Sequence, residues 1–431
     1  MNPQDNERLT RVGPGTLMGK LLRHYWMPAL LEEEVAEPDG SPVRLRLLGE
    51  DLVAFRDTRG RVGIIEAHCA HRRAHLFYGR NEECGLRCIY HGWKYDVEGN
   101  CVDIPSEPEG SELLKPKAKR VAYRTAVRGG VVWVYMGPSD FPAEPPNFEW
   151  STLPARQRTA TKRLQRCNWA QAVDGSIDSS HASFLHSRTK PVAGRRPLPR
   201  FWTDDRHPVF EIKETAAGLL VGARRRINDD PNRYFWGITQ FLMPFHQMFS
   251  PVTDAEDSSA CNYSGHSFVP IDDESIWLWS FSANPHREYS DEELAWHGGR
   301  DGYWGPVDEN YMPRMNKYND YGIDRAAQRD GLYSGIVSVP DQDAAVQESM
   351  GAIVDRSKEL LGRSDRAVIM FRRKILQLAD DCASGKPPEA AKHGDWFNVR
   401  PATTMLDCAI PFEQGASKLL LGRNLAQAEV R

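Results

Sequence analysis

Cys69-Ala70-His71 and Cys88-Ile89-Tyr90-His91 are the two short segments that decide the fold of this chain. Each segment offers one cysteine thiolate and one histidine imidazole, and residues 72–87 separate the two. Two sulfur and two nitrogen ligands are the mixture that holds a two-iron cluster with both histidines on the same iron. The segments therefore predict a redox centre clasped between two loops.

The flanking residues indicate that strands carry both loops. Residues 62–67 are typical of a short strand leading into the first segment. Residues 92–96 predict a strand leaving the second segment, and Glu98-Gly99-Asn100 predicts a tight turn after it.

A structural zinc site is the main alternative, because Zn²⁺ also accepts two sulfurs and two nitrogens. Zinc fingers usually pair Cys with Cys and His with His along the chain, whereas each segment here carries one of each. The pattern therefore favours a Rieske [2Fe–2S] centre. His68, His75 and Cys84 lie nearby but do not fit the spacing, so we expect packing or surface roles for them.

The composition argues against several classes of protein. The 431 residues carry a net charge of −4, which gives no electrostatic case for nucleic acid binding. The first residues lack the apolar stretch of a signal peptide, and no run approaches the length of a membrane span. We therefore expect a cytoplasmic protein with no membrane partner and with free thiols at its remaining cysteines.

The distribution of apolar residues divides the chain in two. Up to about residue 140, short β-type runs alternate with turn residues, and a proline-rich connector follows. From about Lys162 the pattern predicts an amphipathic helix, then alternating strands and two longer helices over residues 343–361 and 364–383. We predict a cluster domain over residues 1–155 and a second domain over residues 156–431, whose antiparallel sheet is covered by helices on one face. The fold class is α+β.

A second group of metal ligands lies between Asn168 and His186. Two histidines and a carboxylate with open positions are how proteins hold oxygen-activating non-haem Fe(II), and Asp178, His181 and His186 offer these groups. His181 and His186 are about 140° apart around an ideal helix, so they share one iron only if the predicted helix is irregular. We expect that irregularity at residues 182–185. Two unconnected core or surface histidines are the alternative for this segment alone.

A further ligand must come from elsewhere in the chain. Pro340-Asp341-Gln342-Asp343 places two carboxylates at the start of a predicted helix. Asp341 could be an N-cap and Asp343 an acid favoured by the helix dipole, so the pattern alone leaves the choice between them open.

Together these motifs resemble the α (oxygenase) subunit of Rieske non-haem iron ring-hydroxylating oxygenases, most closely the phthalate dioxygenase-like group. The resemblance covers almost the whole chain and is carried by the cluster motif and by Asp178-x-x-His181-x4-His186. It implies a β-rich Rieske [2Fe–2S] domain, a helix-grip catalytic domain and a mononuclear Fe(II). Residues 342–351 are similar to the family's third-ligand segment, which assigns Asp343 as the carboxylate ligand.

The resemblance also implies partners. The subunits would form a homotrimer or a stacked hexamer, in which the cluster of one subunit passes electrons to the iron of its neighbour. Asp178 would be the catalytic residue that links His91 to His181 across that boundary. A separate NAD(P)H-dependent reductase would supply the electrons, and O₂ and an aromatic acid would be the substrates.

The implied reaction is dihydroxylation of an aromatic carboxylate, phthalate-like or a substituted benzoate. A monooxygenase or O-demethylase of a related aromatic acid is the alternative within the same class. A Rieske electron carrier without oxygenase activity is the alternative from a different class.

Substrate contacts are expected from an apolar segment and from nearby cationic or polar residues. The apolar segment spans residues 234–245. In the phthalate-type pattern an arginine commonly follows the tryptophan of this segment, which is Trp236 here. This chain has Gly237 at that position, which weakens the case for phthalate itself. The candidate substrate-binding residues are Asn168, Ile238, Phe241, Phe245, Arg206 and Arg225.

Overall fold

A computed structural model of the chain describes residues 1–107, 109–191, 197–253 and 255–423. The last eight residues of the predicted second domain therefore lie outside the described residues. The chain opens with two short helices, α1 (Pro3–Thr10) and α2 (Leu17–Arg23). A third short helix, α3 (Ser111–Leu114), follows β8 in a set of strands with these bounds: β1 (Trp26–Leu31), β2 (Val43–Leu47), β3 (Glu50–Arg56), β4 (Val62–Glu66), β5 (Arg80–Glu82), β6 (Gly85–Arg87), β7 (Lys94–Tyr95), β8 (Cys101–Asp103), β9 (Ala122–Arg128) and β10 (Val131–Tyr135).

These strands form two antiparallel sheets that present the cluster segments. The larger sheet has the order β1-β10-β9-β4-β3-β2, and the smaller has the order β5-β6-β7-β8. The first segment begins directly after β4, and the second lies in the loop between β6 and β7. The prediction of a β-rich cluster domain is confirmed.

The rest of the chain is one antiparallel sheet with helices packed on it. Its order is β11-β17-β16-β15-β14-β13-β12, and β18 also pairs with β14. The strands are β11 (Arg158–Gln165), β12 (Val209–Glu214), β13 (Gly218–Arg226), β14 (Arg233–Leu242), β15 (His246–Phe249), β16 (Tyr263–Pro270), β17 (Ile276–Ala283) and β18 (Ala402–Asp407). The helices are α4 (Glu149–Thr152), α5 (Trp169–Ile177), α6 (Arg200–Thr203), α7 (Asp291–Gly298), α8 (Arg325–Arg329), α9 (Val339–Ser349), α10 (Arg366–Ala383) and α11 (Phe412–Gly415). The α+β prediction is confirmed.

Two helix predictions for this domain are wrong. The helix predicted over residues 343–361 is α9, which ends at Ser349, just before Gly351 adopts a left-handed backbone with φ +91°. The stretch around Lys162 is not helical but belongs to β11, which pairs along its whole length with β17. The Lys162 ammonium is buried against Glu34 of the cluster domain at 2.6 Å, so a charged residue occupies an interior strand position. A buried ion pair supplied by a distant segment cannot be read from local periodicity.

The two parts of the chain share one apolar core. Leu9 of α1 and Leu21 of α2 are buried in the same cluster as Phe371 of α10, although the N-terminal segment was assigned to the cluster domain. The backbone N–H of Gly49 also donates to the carbonyl of Ile271 at 2.8 Å, across the two parts. The boundary near residue 155 stays a prediction.

Buried ion pairs fix the helices that carry the second ligand group. Asp174 of α5 receives Arg356 at 2.8 Å and Arg372 of α10 at 2.7 Å. Removing one partner of such a pair leaves an uncompensated interior charge, so these contacts hold α5 in position.

Among the described residues, no helix is both long enough and apolar enough to cross a bilayer.

Candidate active site

The two cluster segments meet at the tips of neighbouring loops, with their side chains sorted by type. The Nδ1 atoms of His71 and His91 are 3.1 Å apart, and the thiols of Cys69 and Cys88 are in hydrogen-bond contact. Both cysteines are buried, whereas His71 is exposed. This sorting suits a cluster in which one iron takes both thiolates and the other takes both imidazoles.

Local backbone geometry shapes the second loop. The Cys88 N–H donates to the Trp93 carbonyl at 2.8 Å, and the Gly92 N–H donates to the Cys88 carbonyl at 2.9 Å. Gly92 has φ +81°, a conformation that side-chain-bearing residues rarely adopt. The Trp93 ring then stacks on His71 with centroids 4.9 Å apart, which orients that imidazole.

The geometry does not suit the zinc alternative. A single ion would require all four ligand atoms to lie close together, but the only described group of three or more His, Cys, Asp or Glu ligand atoms within 4.8 Å of one another lies elsewhere. His68 and His75 contact each other instead, with ring centroids 5.1 Å apart. Cys84 lies in the turn between β5 and β6.

Tyr95 is a cluster-site residue that sequence reasoning missed. Its hydroxyl lies 3.3 Å from Cys69 Sγ and accepts a hydrogen bond from the Ala70 N–H at 3.0 Å. Hydrogen bonds from Cys88 and from Tyr95 outweigh burial and lower the pKa of the Cys69 thiol. An aromatic residue on a strand is usually core, so the sequence carried no distinct signal for this contact.

The second ligand group is formed by His181, His186 and Asp343. The Nε2 atoms of the two histidines are 3.1 Å apart, and Asp343 Oδ1 lies 3.7 Å from that of His181 and 3.5 Å from that of His186. Three ligand atoms converging from one side, two imidazole and one carboxylate, are the arrangement that holds non-haem Fe(II) with open positions. The residues present therefore fit a mononuclear iron.

The backbone that brings these histidines together differs from the sequence expectation. Helix α5 ends at Ile177, upstream of the irregularity predicted at residues 182–185, and Asp178 is extended with φ −80° and ψ 107°. Asp178 Oδ1 accepts from the Ser180 N–H at 2.8 Å and from its hydroxyl at 2.6 Å, a local turn that competes with helix continuation. His181 then starts a 3₁₀ turn. The predicted position was wrong because the side chain of Asp178, not the span between the histidines, stops the helix.

Each histidine is oriented through its other ring nitrogen. His186 Nδ1 contacts Gln342 Oε1 at 2.7 Å, and the Gln342 amide donates to the Ile336 carbonyl at 2.6 Å. His181 Nδ1 lies 3.7 Å from Asp178 Oδ2. Contacts of this kind set the tautomer and direction of metal-binding imidazoles. Gln342 was missed because a glutamine at a helix start has no distinctive sequence signal.

The electrostatics of the two histidines differ. Burial opposes the charged form of His181, but the carboxylates of Asp178 and Asp343 outweigh burial and raise its pKa. Burial lowers the pKa of His186, which faces the neutral Gln342 amide at Nδ1. The site therefore presents one imidazole backed by a carboxylate and one backed by a neutral amide.

The structure separates the two acids between which the sequence could not choose. Asp341 is buried and forms an ion pair with Arg163 at 2.7 Å, so it is committed to the interior. Asp343, two residues later on α9, faces the histidines. Asp343 therefore lies close to the two histidines, and its role as the carboxylate ligand stays a prediction.

A cavity of about 330 Å³ opens directly onto the second ligand group. Its wall combines the metal-site residues with aromatic and small polar side chains from the sheet and from the loop after α7. Residues lining the cavity include Thr239, Phe249, Ser250, His266, Phe268, Leu278, Trp304 and Trp202. No lysine or arginine lines it among the described residues, and burial lowers the pKa of His266 to about 3, so this imidazole is neutral.

Comparison with known proteins agrees with both sites. Residues 25–121 match the Rieske [2Fe-2S] domain family, and residues 134–395 match the family described as LigXa C-terminal domain like. The chain belongs to the Rieske non-haem iron oxygenases.

Two relatives and one solved structure show the range of this similarity. The oxygenase is 40% identical over 386 residues to the phthalate 4,5-dioxygenase oxygenase subunit of Pseudomonas putida, covering 87% of this chain and 85% of the relative. It is 31% identical to the 5,5'-dehydrodivanillate O-demethylase oxygenase subunit of a Sphingobium species, covering 90% and 83%. NdmA of Pseudomonas putida CBB5, solved as its QL mutant with theobromine, shares the fold with a TM-score of 0.60 at 19% identity, covering 88% and 96%.

The family membership confirms the enzyme class and both cofactors that the resemblance implied. The oxygenase uses a [2Fe–2S] cluster and a mononuclear non-haem iron. Its relatives are oxygenase subunits, which is consistent with a multicomponent system.

The predicted substrate residues are placed differently from the expectation. Asn168 caps α5, and its amide donates to the carbonyls of Thr10 and Asp273, so it does not line the cavity. Ile238 and Phe241 of β14 and Phe245 in the turn before β15 are fully buried core residues outside the cavity wall.

The two arginine candidates also lie outside the cavity wall. Arg206 is exposed beside Phe184. Arg225 is buried directly behind the wall, in contact with Trp202 and Ser179.

We expect Tyr95→Phe to lower the reduction potential of the cluster by about 40 mV, which corresponds to the loss of ~1 kcal/mol of hydrogen bonding to a ligating sulfur in a one-electron couple. A redox titration of the visible spectrum measures this shift. Tyr78→Phe is the matched control, because Tyr78 is 60% exposed and no hydroxyl contact with a cluster residue is seen for it. An unchanged potential in Tyr95→Phe would mean that this hydroxyl does not act on the sulfur.

We expect Gln342→Ala to weaken iron binding at the second site by about 10-fold to 100-fold, because it removes the hydrogen bond that orients His186. Competition with a chelator measures the loss, and the cluster spectrum should not change. Gln377→Ala, at an exposed position of α10, is the control and should bind iron as the parent does. Equal iron affinity in both variants would contradict the orienting role of Gln342.

Proposed function

We propose that this chain is the terminal oxygenase of a reductase-dependent system that dihydroxylates an aromatic carboxylate, phthalate-like or a substituted benzoate. The observation that carries the proposal is the convergence of His181, His186 and Asp343 on the wall of a partly enclosed, largely apolar cavity. A cavity of this size suits a substituted benzene ring, and its apolar lining excludes water from the reacting centre. The likeness to a phthalate 4,5-dioxygenase supports the same substrate class.

The proposed metal ligands divide between two tasks. Cys69, His71, Cys88 and His91 hold the cluster, and His181, His186 and Asp343 hold the iron. The bound iron supplies activation of O₂ with electrons delivered through the cluster. The protein residues position the ring beside the three ligands, orient both imidazoles and keep a carboxylate against Nδ1 of His181.

The proposed assembly contains three copies, or six, so that the cluster of one subunit serves the iron of the next. The tip of the cluster domain exposes apolar side chains, with Ile89 63% and Tyr90 53% exposed. On the outer side of the iron ligands, a second cavity of about 230 Å³ is lined by Asp178, His181 and Asp343. A homotrimer, or a hexamer of two trimers, would seat the tip of one subunit there, with Asp178 as the catalytic link between His91 of one copy and His181 of the next.

O-demethylation is the second candidate, and one comparison favours it. The O-demethylase relative covers 90% of the chain at 31% identity, and the same ligand set serves both reactions. A methoxy group of an aromatic acid would then occupy the position beside the iron.

Product analysis with ¹⁸O₂ separates these two reactions. For dihydroxylation we expect a cis-diol in which both hydroxyl oxygens carry the label. A phenol accompanied by formaldehyde would instead identify O-demethylation. In O-demethylation the oxygen atom from O₂ enters the methyl carbon and leaves with it as formaldehyde, so the oxygen of the phenol carries no label. A cis-diol without label would contradict dihydroxylation, and the absence of both products would contradict both reactions. The measurement is mass spectrometry of the reaction with a surrogate reductase.

We expect His186→Ala to abolish turnover, by at least about 1,000-fold, because it removes an iron ligand. Iron content should fall from about three to about two per chain while the visible spectrum of the cluster remains. His207→Ala, at an exposed position, is the matched control and should keep both iron content and activity. Two irons per chain in the parent protein would instead identify an electron carrier.

A further inference from the structure

All but one of the buried arginines among the described residues pair with carboxylates. Four arginine side chains are buried among the described residues, and three of them face carboxylates. Arg163 pairs with Asp341, Arg356 pairs with Asp174, and Arg372 pairs with both Asp174 and Glu359, all at 2.6–2.8 Å. The exception is Arg225, which is 0% exposed and forms no ion pair with a described carboxylate. An uncompensated interior charge is costly, so its persistence requires an explanation.

The immediate surroundings of Arg225 supply very little compensation. Its Nη2 makes one long hydrogen bond, 3.5 Å, to the Ser179 carbonyl, and its Nε and Nη1 have no partner. Burial lowers the pKa of Arg225 to about 10, and the charges of Asp205 and Asp178 only partly offset this effect, so the guanidinium stays charged at neutral pH. Both acids are engaged elsewhere, Asp205 by the Arg226 N–H and Asp178 by Ser180.

Two further hydrogen-bond donors without partners lie against the same guanidinium. Trp202 packs over it, with Cζ of Arg225 4.7 Å from the ring centroid, and the indole Nε1 has no partner. The hydroxyl of Ser179, next to the carbonyl that Arg225 contacts, has none either. Four buried donor atoms without an acceptor therefore belong to three neighbouring residues, a set that suits an anion with several oxygen atoms.

This donor group lies directly behind the wall of the substrate cavity. Trp202 and Ser179 both line the cavity. Arg225 stands opposite Phe235 on β14, so it shares a sheet face with Gly237 and with Thr239, which also lines the cavity.

Gly237 leaves room for the Trp202 ring to move. A Cβ at position 237 would lie 3.5 Å from that ring and 3.1 Å from Ser250 Oγ, so the glycine provides space at the ring edge. Turning the indole would break no hydrogen bond of its Nε1. In the inference drawn below, rotation of Trp202 would open the guanidinium to the cavity.

We propose that Arg225, together with Ser179 and the indole of Trp202, forms the site that binds the carboxylate of the substrate. This inference rests on the proposed function and deepens it, because it assigns the acid group of the aromatic substrate to named donors. The planar guanidinium can offer parallel N–H groups to both oxygens of one carboxylate, either Nε with Nη2 or Nη1 with Nη2, and its Nε and Nη1 have no other partner. The Trp202 ring separates the guanidinium from the cavity, and an entering aromatic acid displaces it.

The test compares binding of benzoate and benzamide, which match in size and shape but differ in charge, to the holoenzyme without reductase by calorimetric titration. We expect the parent enzyme to bind benzoate more tightly. Arg225→Gln should weaken benzoate binding about 10-fold to 100-fold and change benzamide binding by less than about 2-fold. The affinity of Arg225→Lys for benzoate should lie between those of the parent and of Arg225→Gln, because an ammonium keeps the charge but not the paired N–H groups of the guanidinium.

Arg224→Gln is the matched control. Arg224 is the neighbouring residue on β13, lies on the opposite face against Tyr234 and should leave both affinities unchanged. Equal affinity of the parent for benzoate and benzamide, or an unchanged preference in Arg225→Gln, would overturn the proposal. If Arg225→Gln does not fold, Arg225→Lys decides the question, because a parent-like preference in that variant overturns the proposal.

Turnover measured on the same proteins distinguishes the two proposals. Benzoate binding that depends on Arg225, without oxygenation of any aromatic acid, would support the carboxylate site and contradict the proposed function. Oxygenation of aromatic acids, together with benzoate binding that does not depend on Arg225, would support the proposed function and contradict the carboxylate site.

Discussion

The turn that Asp178 makes with Ser180 is the local constraint on which the catalytic site depends. The Asp178 carboxylate accepts two hydrogen bonds from Ser180. Because this turn begins at Asp178, α5 ends at Ile177. A continuous helix would direct His181 and His186 to different sides, whereas the broken backbone brings their Nε2 atoms to 3.1 Å. The same carboxylate keeps its second oxygen towards Nδ1 of His181, so one side chain both shapes the backbone and orients a ligand.

Buried ion pairs carry this local geometry into the rest of the domain. Asp174 anchors α5 to α10 through Arg372, and Arg163 anchors the start of α9 through Asp341. Because α9 is fixed in this way, Asp343 faces the histidines and Gln342 reaches Nδ1 of His186. Interior charges thus define orientation, and each buried arginine among the described residues is matched by a carboxylate except Arg225.

The two metal sites differ in their exposure to solvent. The cluster ligands end in an exposed imidazole and an apolar tip, which suits transfer of an electron to another protein surface. The proposed iron ligands face a partly enclosed cavity whose wall is rich in aromatic side chains and includes no lysine or arginine among the described residues, which suits the binding of a planar ring. Neutral His266 lines the cavity as an uncharged polar group, whereas the cationic guanidinium of Arg225 lies behind the wall, in contact with Trp202.

The sequence by itself determined the cluster segments, the β-rich domain around them, the pair His181 and His186, and the α+β class, because each depends on residues close together in the chain or on a regular alternation. It misplaced the end of α5 and read β11 as helix, since a side-chain turn and a buried ion pair with a distant segment override periodicity there. Only the tertiary structure decided that Asp341 pairs with Arg163 while Asp343 faces the two histidines. It also decided which residues are structural, namely Asn168, Ile238, Phe241 and Phe245. The cavity, which Thr239, His266 and Trp304 help to form, likewise appeared only in the tertiary structure. Those outcomes depend on which strands pair and which charges meet across more than a hundred residues of chain, and no local pattern records such pairings.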